Sequence, residues 1–440
     1  METSSKRANR PAESPGFPPC EAESSDSCLG RERIDFPVAV VLPAGGSGER
    51  MGLPIPKQFC TFLDRPLISY TIQAFERVPW IENIIVVVAA EHLDLLKSII
   101  HKHCHKKTKL VAGGPTRHRS IFNGLQVFVE NGCDSQLPRP EVVIIHDAVR
   151  PFVEEEFLLK IATAAKQNGA AGAIRPLVST VIATTPESYL DHSLDRARYR
   201  ASEMPQGFLF DTIYQAYQQC SDYDFEYGTE CLHLVLQYSG INAKLIEGPS
   251  SLWKVTYKRD LFAAESIIKE NLSQKACVIT GVHEEAIHLG HCLEKILVAG
   301  GMKVDIISTS CGDDGSFAKN VSESYNLIHI TVSTACFPEI KHTVETVRKT
   351  DLPVLGPVVL IVVHLNLSEC TSFSKRMDEL VTIRGFAKEA KQWNILVYGL
   401  LLNYTKDKQK WNEALESFSC VAGTLIKDRK AALTGQLFVV

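Results

Sequence analysis

The chain has 440 residues, of which 45% are hydrophobic and 22% are charged, and its formal net charge is -4. This composition is typical of a globular protein with two domains, and it lacks the basic excess that binding to nucleic acid or to an anionic membrane would need. The 13 cysteines form no C-x-x-C pair, so the spacing favours reduced thiols in a cytosolic protein over a disulfide framework or a zinc site.

Residues 1–35 mix basic and acidic side chains among serines and prolines and contain no apolar run. This pattern excludes a secretory signal and a transit peptide, and it predicts a disordered tail. The longest apolar stretch, residues 357–367, is too short to cross a bilayer and contains His364. It is predicted to be a buried strand, so we expect no membrane partner.

After the tail, apolar runs of strand length alternate with helical patterns, which predicts an α/β fold with a parallel sheet and helices on both faces. The predicted strands cover residues 38–43, 84–89, 142–146 and 171–178, and the predicted helices cover residues 68–76, 93–101 and 154–167. The polar stretch from 178 to about 199 has neither pattern. We expect it to form an arm outside the core.

A second alternating block follows, with a strand at 276–279, a helix at 284–298 and a strand at 303–308. The boundary between the two blocks falls between residues 262 and 275, in or after a helix that contains residues 265–271. The sequence therefore predicts a tail over 1–35, a Rossmann-like domain over 36–265 and a second Rossmann-like α/β domain over 275–440.

A glycine-rich segment, LPAGGSGERM at residues 42–51, leaves the first strand and is followed by PKQ at 56–58. Glycine lets backbone N–H groups approach phosphate oxygens, while Arg50 and Lys57 can supply countercharge. The segment matches neither the P-loop nor the G-x-G-x-x-G pattern. Taken alone, it also fits an ordinary turn.

Two further loops carry polar chemistry at predicted strand ends. GGPTRHRS at residues 113–120 combines bare backbone with two guanidinium groups and a hydroxyl, although a solvated basic turn would look the same. HDAVRP at 146–151 directly follows a buried strand, where open α/β sheets bind ligands. There Asp147 could hold Mg²⁺ and Arg150 a phosphate.

In this order the loops resemble the 2-C-methyl-D-erythritol 4-phosphate cytidylyltransferase family, whose pattern is P-A-A-G-x-G-x-R-M, P-K-Q, G-G-x-x-R-x-x-S, H-D-A-A-R-P and a late K-V-T. The match runs over residues 38–260 and ends on KVT at 254–256. The long C-terminal extension is similar to that of vertebrate members acting on D-ribitol 5-phosphate. The resemblance implies a nucleotidyltransferase domain with a protruding arm.

The resemblance also implies the reaction: CMP passes from CTP to D-ribitol 5-phosphate, giving CDP-ribitol and pyrophosphate for O-mannosyl glycan synthesis. It implies Mg²⁺ or another divalent cation, a homodimer, and a location in the cytosol. Two alternatives stay open. The acceptor could be methylerythritol phosphate of isoprenoid synthesis, or the chain could be a non-catalytic scaffold.

Carried over position by position, the resemblance implies three sets of ligand contacts and one set of catalytic groups. The catalytic groups are Arg50, Lys57 and Lys254; the nucleotide contacts are Ala44, Gly45, Gly46, Gly48, Gly114, Arg117 and Ser120; the acceptor contacts are Arg150, Thr180 and Arg196; the metal ligand is Asp147. Arg198 and Arg200 are alternatives to Arg196. Trp253 stands where relatives usually have isoleucine before the lysine, and it could reshape the acceptor pocket.

The second block resembles short-chain dehydrogenases in scaffold. Those enzymes place glycines after the T-G of the first strand, whereas here Val282, His283, Glu284 and Glu285 fill that loop. Their Y-x-x-x-K motif corresponds to TSFSK at 371–375, which lacks the tyrosine. We expect a degenerate domain kept for stability, dimer contacts or docking, with a regulatory ligand pocket as the alternative and hydride transfer disfavoured.

Overall fold

The structure is a computed structural model that describes residues 34–46, 48–129, 137–308, 314–332, 337–349, 356–367 and 373–440. The predicted tail lies outside the described residues up to position 33. The chain from Phe36 to Val440 forms one compact unit. Within it, two separate sheets carry the α/β pattern.

The first half of the chain contributes eleven strands and eight helices to the described structure. The strands are β1 Val38–Pro43, β2 Thr61–Phe62, β3 Arg65–Pro66, β4 Ile81–Val88, β5 Thr108–Ala112, β6 Val142–Ile145, β7 Ala170–Pro176, β8 Ile182–Thr184, β9 Leu190–Ser193, β10 Arg200–Leu209 and β11 Lys244–Glu247. The helices are α1 Leu67–Glu76, α2 Leu93–Lys102, α3 Arg117–Gln126, α4 Glu155–Asn168, α5 Phe210–Gln219, α6 Asp222–Tyr227, α7 Cys231–Ser239 and α8 Lys258–Leu272.

Seven of these strands form one sheet in the order β11-β7-β10-β6-β1-β4-β5. Within it, β1 is a run of β-branched and aliphatic residues that is buried on both faces because helices cover the sheet on each side. The covering helices bury one apolar stripe each. In α4, for example, Phe157, Leu158, Ile161 and Ala165 recur at helical spacing, and Gly169 ends the helix with a φ of 85°.

The second half contributes six strands and five helices among the described residues. They are β12 Lys275–Thr280, α9 Glu284–Ala299, β13 Lys303–Ser308, α10 Asp314–Ser322, β14 Asn326–Thr331, α11 Phe337–Lys349, β15 Val358–Asn366, α12 Phe373–Ala390, β16 Ile395–Asn403, α13 Lys408–Asp428 and β17 Leu437–Val439. All pairings in this sheet are parallel, in the order β13-β12-β14-β15-β16-β17. The α/β fold class with a second α/β sheet is confirmed.

The predicted strands and helices are present, with ends that shift by a few residues. The expectation of an all-parallel first sheet is wrong in one strand. β10 runs antiparallel to both β6 and β7, because the chain leaves β7 into the β8–β9 hairpin and returns directly along the same sheet. In the described part of the chain, no helix has the length and apolar character needed to span a membrane.

Candidate active site

The predicted loops meet at one edge of the first sheet. Strand β1 lies between β4 and β6, so the strand order reverses there, and the glycine-rich loop follows β1 while Asp147 follows β6. Ligands of open α/β sheets bind beyond the carboxyl ends of the strands at such a reversal. A cavity of about 400 Å³ occupies this position.

The glycine-rich loop is held close to the 3-10 helix Lys57–Phe59. Gly48 has a φ of 75°, and a Cβ built on it would lie 2.9 Å from the backbone nitrogen of Lys57, so only glycine fits. Gln58, which is buried, donates from Nε2 to the carbonyls of Ala44 (2.7 Å) and Gly46 (3.1 Å). Gln58 therefore shapes the loop, a role that the sequence reading did not assign to it.

Lys57 lies at the base of this loop with its ammonium group inside the protein. Nζ donates to the carbonyl of Val255 at 3.1 Å, across 198 positions of sequence. Burial, followed by the positive charges of Lys254 and Arg50, lowers the pKa of Lys57 from 10.5 to about 8. An anion bound nearby would therefore stabilise the charged form of Lys57.

The loop before α3 is built around the Ser120 hydroxyl. The Gly114 nitrogen donates to Ser120 Oγ at 3.2 Å, and the same hydroxyl lies 3.2 Å from the Gly114 carbonyl. A Cβ on Gly114 would come within 2.6 Å of Arg119 Cβ, so the loop needs glycine there. Thr116 caps α3 by accepting a hydrogen bond from the Arg119 nitrogen at 3.3 Å.

Asp147 pairs with three cations, of which Arg117 and Lys254 come from distant parts of the chain. Its Oδ1 pairs with Arg117 at 2.5 Å, and its Oδ2 pairs with Arg150 at 3.0 Å and with Lys254 at 3.0 Å. Burial alone would raise the pKa of this carboxyl, but Arg117, Lys254 and Arg150 hold it well below the ordinary value of 3.8. Asp147 is therefore ionised and fixes the positions of the cations around the cavity.

Arg150 lies behind Asp147 and is not among the residues that line the cavity. Its guanidinium donates to Asp147, to Glu203 on β10 and to the carbonyl of Leu252. Neighbouring His146 is fully buried, donates from Nε2 to the Arg150 carbonyl at 2.9 Å, and has a pKa lowered to about 4 by burial. In this arrangement Arg150 anchors the Asp147 loop rather than facing a ligand.

The cavity brings most of the predicted site residues together. Those lining it are Ala44, Gly45, Gly46, Gly48, Arg50, Lys57, Gly114, Arg117, Ser120, Asp147 and Lys254. Among the lining residues, four are cations and two, Glu49 and Asp147, are carboxylates. The cavity thus suits a polyanionic ligand.

Thr180 and Arg196 lie on the arm, are exposed, and are not lining residues of the cavity. Arg196 donates to the carbonyl of Val178 at 2.6 Å, next to the β8–β9 hairpin. Trp253 also lies outside the lining, with its ring 5.8 Å from that of Phe152. The structure therefore separates the arm residues from the cavity of the same chain.

Asp147 could bind a divalent ion in this site. Mg²⁺ takes one or two carboxylates together with phosphate oxygens and water, but both oxygens of Asp147 are already ion-paired. Within the described ranges, no group of three or more His, Cys, Asp or Glu residues could hold a metal ion. These residues fit an ion that arrives on a triphosphate, with Asp147 as its protein ligand, and they do not fit an ion held by the protein alone.

Comparison with known proteins agrees with this geometry. The family described as 2-C-methyl-D-erythritol 4-phosphate cytidylyltransferase matches residues 38–270, and the family described as D-ribitol-5-phosphate cytidylyltransferase C-terminal domain matches residues 274–419. The D-ribitol-5-phosphate cytidylyltransferase of Homo sapiens is 51% identical over 453 residues, covering 100% of both chains. The protein of the same name from Xenopus tropicalis is 55% identical and covers 91% of this chain and 97% of its own.

Among solved structures, 4-diphosphocytidyl-2C-methyl-D-erythritol synthase from Anaerococcus prevotii is 26% identical, with a TM-score of 0.45, and covers 53% of this chain and 96% of that one. The two family matches together span most of the chain. The identity with vertebrate relatives extends over its whole length. The chain therefore belongs to the cytidylyltransferase family, within the group of D-ribitol-5-phosphate cytidylyltransferases.

Proposed function

We propose that the protein transfers CMP from CTP to D-ribitol 5-phosphate, releasing pyrophosphate and giving CDP-ribitol. The observation that carries this proposal is the ring of cations, Arg50, Lys57, Arg117 and Lys254, around one cavity at the carboxyl edge of the first sheet. A triphosphate is the kind of ligand that such a ring would stabilise. The vertebrate relatives that match the full chain carry this activity in their names.

In this proposal the nucleotide lies across the two glycine loops. The backbone from Ala44 to Gly48 wraps the triphosphate, and the cytosine lies against Gly114 and Ser120 with Arg117 beside it. Bare backbone matters at both places, because a side chain on Gly48 or Gly114 would collide with the protein itself. Arg150 then acts through Asp147 as a positioning residue. The sequence had predicted a different role for it, a contact with the acceptor phosphate.

The acceptor phosphate is ionised near neutral pH, so it needs no strong general base. One of its oxygens forms the new bond to the α-phosphorus of CTP, and the bond from that phosphorus to the bridging oxygen of pyrophosphate breaks in line. Lys57, Lys254 and Arg50 stand where the negative charge concentrates. Catalysis thus consists of alignment and charge neutralisation.

We further propose that Asp147 would hold Mg²⁺, or another divalent ion, together with the phosphate oxygens of CTP. Such an ion would neutralise phosphate charge and help to align the two reacting groups. Lys254, paired with Asp147 at 3.0 Å, lines the same cavity and would face the reacting phosphate from there. Divalent-metal dependence is general among the cytidylyltransferases of this family.

The arm residues suggest a homodimer. Thr180 and Arg196 are exposed and lie off the cavity of their own chain, while Val178, Tyr189 and Leu190 on the same arm are more than 60% exposed. We propose that the arm reaches the site of a second copy and holds the acceptor phosphate there through Thr180 and Arg196. Light scattering on the purified protein tests the dimer.

We propose that residues 36–265 form the transferase domain and that residues 275–440 form a non-catalytic domain. In the latter, the loop after β12 carries Val282, His283, Glu284 and Glu285, with the two carboxylates in the first turn of α9. Carboxylates there repel a dinucleotide pyrophosphate. We place the whole enzyme in the cytosol, with its product feeding O-mannosyl glycan synthesis.

Pyrophosphate release by the purified full chain tests the proposal. CTP and Mg²⁺ are supplied with either D-ribitol 5-phosphate or 2-C-methyl-D-erythritol 4-phosphate at matched concentration, and the product is identified by mass. We expect release with ribitol phosphate and a CDP-ribitol mass. Preference for the other acceptor would keep the chemistry and overturn the substrate, while no release with either would favour the scaffold alternative.

A further inference from the structure

Helix α8 connects the active-site lysines with the second sheet. It starts at Lys258, just beyond Lys254, and ends at Leu272, where β12 of the second sheet follows. Its first turn is fixed by Asp260, whose Oδ2 accepts hydrogen bonds from the nitrogens of Thr256 and Tyr257, both at 2.8 Å. A helix of 15 residues is about 22 Å long and transmits a displacement of one end to the other.

The segment just before α8 contains one of the two lysines and contacts the other. Fully buried Val255 accepts the hydrogen bond of Lys57 Nζ at 3.1 Å and donates from its own nitrogen to the Val149 carbonyl at 3.1 Å. The preceding residue, Lys254, pairs with Asp147 at 3.0 Å. A shift of this segment would therefore move one lysine directly and remove the partner of the other.

The end of α8 is held by Asn326 of β14 and by Arg429, which follows α13. The Leu272 carbonyl accepts hydrogen bonds from Asn326 Nδ2 at 2.7 Å and from Arg429 Nη2 at 2.9 Å. Arg429 also donates to Asn326 Oδ1 at 2.6 Å and to the Pro357 carbonyl at 2.7 Å. Both side chains are almost completely buried, and burial of a guanidinium is costly unless acceptors fix it.

Apolar packing continues this connection along the helix. Ile268 and Leu272 of α8 belong to one hydrophobic cluster with Phe62 from the first half of the chain. Tyr325, from the second half, packs against this cluster. On the side of the second sheet, Gly356 faces Leu272 so closely that a Cβ would lie 2.6 Å from Leu272 Cδ1. The segment before β15 therefore packs directly against the end of α8.

We propose that Arg429 and Asn326 are positioning residues for nucleotidyl transfer, because they fix the end of α8 and thereby the places of Lys254 and Lys57. The proposal rests on the proposed function and gives the second half of the chain a part in the same reaction. The glycine loops that would hold CTP follow β1 and β5, and hydrogen bonds to Gln58 and Ser120 shape them. A loosened α8 therefore lowers kcat more than it raises KM for CTP.

Arg429→Met in the full chain tests this, with Arg429→Lys as the conservative variant. Misplacement of catalytic groups by about 1 Å costs up to about 10²-fold, so we expect kcat of Arg429→Met to fall by about tenfold to 10²-fold with little change in KM for CTP. Arg429→Lys should recover part of kcat. The matched control is Lys430→Met, which removes the adjacent but exposed cation and should leave kcat unchanged.

The pH profile gives a readout that lost stability alone would not move. Lys254 is among the charges that lower the pKa of Lys57, so displacement of Lys254 should shift the alkaline limb of kcat/KM to higher pH. The charged groups acting on Lys57 are Lys254, Arg50, Asp147 and Arg150. Wild-type kcat and an unshifted limb in folded Arg429→Met would overturn the proposal.

If Arg429→Met does not fold, Asn326→Leu decides. It removes the amide donor to the Leu272 carbonyl without removing a buried charge. A lower kcat at unchanged KM supports the proposal, and wild-type kcat overturns it. An inactive wild-type protein would instead refute the proposed function, so the two failures are distinct.

Discussion

The two sheets of this protein have related topologies and different carboxyl edges. In each, the first strand of the unit lies between two later strands, β1 between β4 and β6 and β12 between β13 and β14, so each has a strand-order reversal. The first edge has glycine loops, with Lys57 and Asp147 beside a cavity. At the second edge, Glu284 and Glu285 open the following helix. The scaffold creates the place for a site, and the loops decide whether there is one.

The polar groups at the two edges are also used differently. At the first edge, Asp147 pairs with Arg117, Arg150 and Lys254, which preorganises a charged cavity. At the second edge, Asn366 donates to Asn403 at 2.9 Å, which joins β15 to β16. The same strand ends therefore serve chemistry in one half and sheet cohesion in the other.

Loss of a lysine at the first edge should have the largest effect. We expect Lys57→Met to lower kcat by about 10²–10³-fold, because one preorganised electrostatic contact to a developing charge is worth that much. Steady-state pyrophosphate release measures it. Lys244→Met, at an exposed position on β11, is the control. Full activity of Lys57→Met would remove that lysine from the mechanism.

Asp147→Asn should have the next largest effect, a fall in kcat of about tenfold to 10²-fold, because Arg117, Arg150 and Lys254 lose their common partner. The same variant also tests the stability of the protein.

The pKa of Asp147 is depressed on folding. Its contribution to the free energy of unfolding is therefore present above the unfolded pKa near 3.9 and is lost as pH falls through the folded pKa. Asp147→Asn should lower Tm at pH 7, with the difference shrinking toward pH 3. An unchanged Tm at neutral pH would contradict the ion-pair network.

Much of this edge could be predicted from sequence, since loop chemistry follows short local patterns. The residues of the predicted site that line the cavity include Lys57, Asp147, Lys254 and four glycines, Gly45, Gly46, Gly48 and Gly114. What sequence could not predict was pairing: Glu203 holds Arg150 from a strand that had no clear pattern, and Gln58 folds back onto Ala44. Which of several cations faces the ligand depends on acceptors far along the chain. Only the folded arrangement reveals them.

A smaller effect concerns pH. Because the pKa of Lys57 is lowered to about 8, the free enzyme loses the charged form as pH rises through that value, and kcat/KM for CTP should fall about tenfold per pH unit above it. Lys57→Arg should lack this limb, since arginine stays charged. The limb of kcat should lie at higher pH, because bound phosphates favour the ammonium form. A flat profile to pH 10 in the wild-type protein would refute a role for the charged lysine.

At the carboxyl edge of the second sheet we expect no dinucleotide binding. Titration of the full chain with NAD or NADP in a calorimeter should show no saturable binding, because Glu284 and Glu285 stand where a pyrophosphate would need bare backbone. CTP with Mg²⁺, titrated into the same sample, is the positive control. Saturable dinucleotide binding would make the two edges functionally alike and would return the oxidoreductase alternative.

The most direct test of the central claim separates binding from chemistry in Lys254→Met. CTP affinity is measured at equilibrium, and CDP-ribitol formation is followed in a single turnover with enzyme in excess. If this lysine stabilises the transition state at the first edge, CTP affinity changes little while the single-turnover rate falls by about 10²–10³-fold. A wild-type rate in this variant would contradict the account, because the cation ring would then bind the nucleotide without driving its transfer.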